Sequence, residues 1–357
     1  MGALKQVGAG SKPALNKEHN MTKRKLSYSA FMKRIKDAIK YYDMLHPGDK
    51  VLVAVSGGPD SVCLLRALSG MKKLGVEIVV GNLDHGIRKR GSAADSTFVK
   101  KLSKELGFEC EHKQLDLGTT SGGKISLEEK ARLARYKFLL TAAKKHNCGI
   151  IATGHTLDDQ AETMVMRFML GASLKGMSGI PPVRYEKGIK IIRPLIRASK
   201  KDILQLINEE GWTYRDDHTN RDTKYVRNSV RHEVLPFLEK YNPRIRRSLA
   251  NLSDTMREDA AFLDDAKRGV FSKNVNAGKG RASINTKDIV LQPRTLRKEL
   301  FKELFIRAGG DVKKLTYRHW MDMDYFIRAG ELGKSLNFPG VKVSKREADI
   351  VFTRRKR

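Results

Sequence analysis

Cysteine is scarce. The three in 357 residues (Cys63, Cys110, Cys148) lie far apart and form no CxxC. That excludes a disulfide framework and a zinc ribbon, and points to a reducing, cytoplasmic setting. No apolar run approaches the ~18 residues of a membrane span, so no membrane partner is expected. An apolar h-region is absent near the start, which excludes a secretory signal. Aromatic residues are 7% of the chain, thin for a protein that mainly stacks single-stranded bases. No GxGxxG follows a strand-like run, which disfavours a dinucleotide site. Acidic residues are outnumbered, 40 against 70 Lys and Arg, leaving a formal charge of +30. A surplus of that size attracts polyanions, nucleic acid first among them.

With 40% apolar residues the chain has enough to build packed cores. Residues 1–25 lack apolar periodicity and read as a flexible basic tail, with Met21 as an alternative start. From Ser27 the pattern turns helical, with Phe31, Ile35, Ile39 and Tyr42 on one face. Strand-like and helix-like segments then alternate. The strands are Lys50–Val55, Glu77–Leu83, Glu109–Leu117 and Gly149–Thr153. The helices are Asp60–Leu74, Ala93–Leu106, Ser126–His146 (with Ser126 and Glu129 at capping-box spacing) and Leu157–Leu170. This alternation predicts an α/β domain with a parallel sheet, over about 26–240, whose ligand sits beyond the carboxyl ends of the strands. An amphipathic helix is expected at Lys200–Glu210. Residues 241–357 read as a helical linker, Asn242–Lys267, leading to a small α+β domain. Its helices are Pro293–Arg307 and Tyr317–Arg328, and its strands Ser335–Phe338, Val341–Ser344 and Asp349–Thr353. A basic tail, Arg354–Arg357, follows, and no internal repeat is evident.

The sharpest local signal is a buried strand running through Ser56, Gly57, Gly58, Pro59, Asp60 and Ser61 straight into a helix. Glycines let the backbone turn tightly and approach a ligand. Amides at the helix start then point at a docked anion, and the two serines add hydroxyl donors. A carboxylate among phosphates repels unless it helps to hold a cation, so Asp60 suggests Mg²⁺. The stretch from Gly118 through Gly123 and Lys124 nearly forms a Walker A loop. Ile125 stands where Ser or Thr must reach the metal, so it reads as an ordinary loop. Further on, Asp158, Asp159 and Glu162 follow a strand end at spacings that gather carboxylates on one helix face. His155 just before them is suited to touch phosphate or cap the helix. It has no second histidine at useful spacing, so zinc is not expected. Arg132 and Arg135, and likewise Arg227 and Arg231, lie one turn apart.

The Ser-Gly-Gly-x-Asp-Ser loop resembles that of the PP-loop ATP pyrophosphatase superfamily. Further stretches are similar to the tRNA(Ile)-lysidine synthetase family. They are Leu83–Arg88, Ala131–Tyr136, Thr153–Thr163 (TGHTLDDQAET), Arg193–Leu195, Asp216–Asn220 and Tyr225–Arg231 (YVRNSVR). The resemblance spans about Val51 to Pro236 and is weak in the C-terminal third, which would serve as a tRNA-binding domain. It implies ATP with Mg²⁺, and a reaction on tRNA(Ile) with a CAU anticodon. ATP adenylates the C2 oxygen of the wobble cytidine, and free L-lysine displaces AMP to form lysidine, which shifts reading from AUG to AUA. Ser56 to Ser61, Asp84, His85, Gly86 and His155 would then bind the nucleotide. Asp60, Arg135, Asp159, Glu162 and Arg227 would act in catalysis, with Asp60 and Asp159 toward the metal. The carboxylates at 158–162 could hold Mg²⁺, receive the lysine ammonium, or take its proton. Arg227 and Arg231 remain interchangeable as the active-site arginine, and Arg88, Lys89 and Arg90 could meet RNA. A homodimer is possible. Two rivals are a PP-loop tRNA thiolase, which generally needs sulfur- or cluster-bearing cysteines, and a non-catalytic basic RNA-binding protein.

Overall fold

Lys50–Ala54 (β1) is five residues of mostly aliphatic side chains, and all but its ends are fully buried. A strand covered on both faces needs such a continuous run, and it belongs to the middle of a parallel sheet. The computed structural model describes residues 27–71, 75–84, 92–115, 127–215 and 226–355. The sequence expectations for 1–25, His85 and Gly86, Arg88 to Arg90, Gly118 to Ile125, the Ser126 cap, Asp216 to Asn220 and Tyr225 lie outside these residues.

The chain packs into two units, Met1–Gly154 with Lys187–Asp216, and His155–Glu186 with Asp217–Arg357. The first holds, in chain order, helix Tyr28–Tyr41 (α1), β1, Pro59–Ser69 (α2), Glu77–Asp84 (β2), Ser92–Glu105 (α3), Glu109–Gln114 (β3), Leu127–Lys145 (α4) and Ile150–Ala152 (β4). The second contributes Leu157–Met169 (α5), Leu174–Met177 (α6) and Val183–Glu186 (β5). Ile189–Ile192 (β6) and Lys200–Glu209 (α7) return to the first.

Five strands of the first unit run parallel in the order β3-β2-β1-β4-β6. Val51 lies opposite Ile78 on one side and Ile150 on the other. Leu52, Val79, Leu139, Ile151 and Ile191 join one core against α4. β3 (ECEHKQ) has no fully buried residue, as an edge position allows. On α1, Phe31, Met32, Ile35, Ala38 and Ile39 are buried, and the Ser27 side chain accepts from the Ala30 amide to cap the helix.

The second unit continues with Val226–Ser229 (α8), a π-helical turn at Val230–Val234, Leu235–Glu239 (α9) and the 30-residue helix Ile245–Asn274 (α10). Then follow Val275–Gly278 (β7), Arg281–Asn285 (β8), Thr286–Val290 (α11), Arg294–Arg307 (α12), Tyr317–Ala329 (α13), Ser335–Phe338 (β9), Val341–Lys345 (β10) and Asp349–Arg354 (β11). β7 to β11 form an antiparallel sheet in the order β7-β8-β11-β10-β9. Its core centres on Phe301, whose ring lies 5.4–6.2 Å from those of Phe305, Trp320, Phe338 and Phe352. Among the described residues no helix is long and apolar enough to cross a membrane.

Candidate active site

β1 delivers Val55 and Ser56 to the carboxyl edge of the sheet, and the backbone then turns into α2. The turn uses Gly57 at φ +92°, a conformation L side chains rarely adopt. Gly58 caps the helix without a side chain, Pro59 takes the first position, and Asp60 stands in the first turn. The loop is braced from within. The Ser56 amide donates to the Ser61 hydroxyl (3.2 Å), which donates to the Gly58 carbonyl (2.9 Å). The sequence suggested that both serines offer hydroxyls to a ligand. Ser61 is buried and ties the loop together, whereas exposed Ser56 holds only a 3.3 Å contact to it. The Gly57 and Gly58 amides make no hydrogen bond among the described residues.

Three supports of this loop escaped the sequence. Buried Asn82 on β2 donates to the Val55 carbonyl (2.7 Å) and fixes the strand end. Gly154, after β4, packs so closely that a Cβ there would lie 3.3 Å from the Asp60 carbonyl carbon and oxygen. Lys200, the first residue of α7, places Nζ 3.8 Å from the Asp60 carboxylate. Amides at a helix start, an exposed hydroxyl and a nearby ammonium suit a polyphosphate. The acidic Asp60 fits a cation bridging to such oxygens, because Mg²⁺ is commonly held by one or two carboxylates plus substrate phosphates. Among the described residues no cluster of three or more His, Cys, Asp or Glu side chains is arranged as a metal site by itself. Alanine at Gly154 is expected to weaken ATP binding severalfold with little change in melting temperature, read by nucleotide titration and calorimetry. Unchanged affinity would mean that the strap at 154 does not shape the loop.

In the second unit, α5 carries the acidic residues. Its N-cap is Thr156, fully buried, not His155. Thr156 Oγ1 accepts from the Asp159 amide (3.3 Å), and Asp159 Oδ2 accepts from the Thr156 amide (2.9 Å), a complete capping box. Every acidic residue of this turn meets an arginine. Glu162, with no exposed side-chain surface, accepts from Arg231 through both oxygens (2.6 and 3.1 Å) and from Arg227 Nε (2.8 Å). Asp159 Oδ1 accepts from Arg227 (3.0 Å), and Asp158 Oδ1 from Arg246 on α10 (3.0 Å). Burial pulls the Arg227 guanidinium toward deprotonation. Asp159 and Glu162 outweigh it, so Arg227 is held charged more firmly than an ordinary arginine. Arg231 rides on the π-helical turn, an irregularity often found at functional sites. Thus Arg227 and Arg231 share Glu162.

Of the three roles open to these carboxylates, the geometry favours none that needs an unengaged oxygen on Glu162. Gln160 in the same stretch is structural: its amide donates to Ser253 (2.6 Å) and accepts from the Ile180 amide (2.6 Å). Asp84 is buried at the end of β2. Arg135 is exposed on α4, and Arg132 beside it lies 4.0 Å from Glu129. The thiols are poorly placed for chemistry. Cys63 and Cys148 are buried, and burial, aided by Asp60, pushes Cys63 up to about 12. Burial also raises Cys110.

Residues 27–238 match the family model of the PP-loop domain. Three curated relatives share the name tRNA(Ile)-lysidine synthase. The protein from Geobacter sulfurreducens is 30% identical over 330 residues, 91% of this chain and 69% of the relative. That from Geobacillus kaustophilus is 31% identical, covering 90% and 70%. That from Symbiobacterium thermophilum is 38% identical, covering 83% and 66%. Among solved structures, the U34-tRNA thiolase NcsA from Methanococcus maripaludis with its [4Fe-4S] cluster superposes with a TM-score of 0.56. It is 20% identical and covers 65% of this chain and 81% of that one, so it shares the fold alone.

Proposed function

This chain belongs to the tRNA(Ile)-lysidine synthase family of PP-loop proteins, and from that premise we propose that it is a cytoplasmic, ATP-dependent carbon–nitrogen ligase. Its substrates are a tRNA(Ile) with a CAU anticodon, ATP and free L-lysine. The observation that carries this reading is similarity sustained over 318–330 residues, through both packed units, where the loop alone would indicate only an ATP-using superfamily.

The residues divide the work by their chemistry. The amides of 57 and 58 and the Ser56 hydroxyl hold phosphate oxygens, and Lys200 adds a positive charge beside them. Mg²⁺, when bound with the nucleotide, offsets phosphate charge and eases departure of pyrophosphate, and Asp60 is the side chain that would hold it. Asp84, His85, Gly86 and His155 are assigned to nucleotide contact through the family resemblance. Lysine arrives with an ε-amine of pKa about 10.4 and must shed a proton before it attacks C2. Asp158 and Asp159 orient that amine. Arg227 and Arg231, fixed by Glu162, carry the positive charge suited to the negative charge that gathers as AMP leaves. Arg135 is exposed and suits an RNA or nucleotide phosphate. In the C-terminal part, Tyr317, Met321 and Tyr325 form an exposed stripe on α13. Lys298 lies 5.8 Å over Tyr317, a surface suited to RNA.

The test is incubation with ATP, labelled lysine and two transcripts, tRNA(Ile) and the elongator tRNA(Met) of the same anticodon, followed by nucleoside analysis. Labelled lysidine is expected in tRNA(Ile) alone, with one AMP and one pyrophosphate for each. The triple variant Cys63→Ser, Cys110→Ser, Cys148→Ser is expected to keep that activity. Transfer of sulfur to tRNA by the unaltered protein, lost in the triple variant, would favour the thiolase reading.

A further inference from the structure

With few aromatic residues in the chain, the exposed ones are informative. Between α9 and α10 the second unit makes a corner that carries two. Phe237 is 53% exposed and Tyr241 77%, and their rings meet edge to face with centroids 5.3 Å apart. Lys240 places Nζ 6.0 Å from the centre of the Phe237 ring. Arg244 and Arg247 follow, both exposed. A single exposed aromatic needs no explanation. A fixed pair bordered by three exposed cations within eleven residues is a different surface.

The corner is also rigid. The Tyr241 and Asn242 amides both donate to the Leu238 carbonyl (3.1 and 3.0 Å), and the Arg244 amide donates to Asn242 Oδ1 (2.9 Å). Pro236 and Pro243 restrict the backbone on either side. Most tellingly, the corner is bolted to the acidic turn of α5. Arg246 donates to Glu239 on α9 (2.7 Å) and to Asp158 on α5 (3.0 Å). The aromatic pair therefore holds a set position relative to the carboxylate–arginine network within one packed unit.

We propose that Phe237 and Tyr241 are a stacking platform for an unpaired RNA base next to the base that reacts, with Lys240, Arg244 and Arg247 taking its phosphates. This rests on the tRNA reading above and specifies how the anticodon loop is held. A cytidine whose C2 oxygen is to be adenylated must leave its stack, and its neighbours then lose a stacking partner. Aromatic side chains supply that partner to any base, and flanking cations add backbone affinity without reading sequence. Charge complementarity selects RNA over a protein partner, because the corner couples its rings to exposed Lys240, Arg244 and Arg247, and its one acidic residue, Glu239, is already paired with Arg246.

The test uses the full-length chain and an anticodon stem-loop of tRNA(Ile) with 2-aminopurine at a nucleotide adjoining the wobble cytidine. Binding to the unaltered protein is expected to quench the fluorophore. The double variant Phe237→Ala, Tyr241→Ala is expected to bind the stem-loop about tenfold more weakly and to lose the quench. The conservative pair Phe237→Tyr, Tyr241→Phe should retain both, which separates stacking from a folding defect. Quenching and affinity unchanged in the alanine variant, with lysidine still formed, would overturn the platform. If no tRNA yields lysidine but the quench still depends on Phe237 and Tyr241, the platform stands and the reaction assignment falls.

Discussion

Replacing Glu162 by alanine is expected to lower the rate of lysidine formation by about a hundredfold or more, and to destabilise the protein at the same time. The two effects share one cause. Glu162 is fully buried and its oxygens accept three hydrogen bonds from Arg227 and Arg231. Removing the carboxylate leaves two partly buried guanidiniums that still share Asp159. Breaking one side of a buried ion pair costs about 3–5 kcal/mol. The arginines would also repel each other and move, and a displacement of about 1 Å at a site can cost about 10²-fold in rate. Glu162→Gln keeps an oxygen for one guanidinium and loses the charge, so it should fall between. Calorimetry and single-turnover assays of both variants check this. A Glu162→Ala protein that melts normally and turns over normally would show that the network neither supports the fold nor aligns the arginines. If stability fell while turnover of the folded fraction held, Glu162 would be structural only.

That network shows where sequence reading reaches its limit. The residues themselves were legible, because Asp158, Asp159 and Glu162 fall on one helical face and Arg227 and Arg231 repeat one turn apart. Their pairing was not. Glu162 meets its arginines across 65 and 69 residues, and a spacing rule that works within one helix has no reach over such distances. Arg246 meets Asp158 across 88. Thr156 carries a local signal in the sequence, since Thr-x-x-Asp is capping-box spacing, and it is Thr156 and not His155 that caps the helix. The π-helical turn that carries Arg231 has no signature in composition at all.

The fold divides in the same way. β1 and the loop after it were readable because a continuous apolar run ending in two glycines has few other uses. β7 and β8 were missed. Val275–Gly278 and Arg281–Asn285 are short and contain no apolar run, and they become strands by pairing, β8 against β11 and β7 against β8. The long helix was expected to stop near Lys267 and continues to Asn274, through Gly269, because Val270 and Phe271 pack on the C-terminal core. Tertiary burial there outweighs the ~1 kcal/mol helix penalty of an interior glycine.

Asp60→Asn should behave as the converse of Glu162→Ala: a severe loss of turnover with almost no loss of stability. The Asp60 side chain is about a quarter exposed, and its ion partner Lys200, 3.8 Å away, is 30% exposed. Ion pairs open to water contribute about 0–1 kcal/mol, so the melting temperature should hardly move. Asparagine preserves the size of the first-turn side chain and leaves the loop braces at Ser56, Gly58 and Ser61 untouched. Only the negative charge is lost. If that charge holds Mg²⁺ against the phosphates, AMP release should drop at least about a hundredfold, since metal stabilisation of developing charge is worth several kcal/mol. Raising Mg²⁺ should recover part of the rate, and tRNA binding should be unchanged. With the Asp60 charge gone, Lys200 would make ATP bind as well or better, which distinguishes lost chemistry from lost affinity. Wild-type turnover and an unshifted Mg²⁺ dependence in Asp60→Asn would remove Asp60 from the metal role and leave the loop a phosphate cradle of amides, the Ser56 hydroxyl and Lys200.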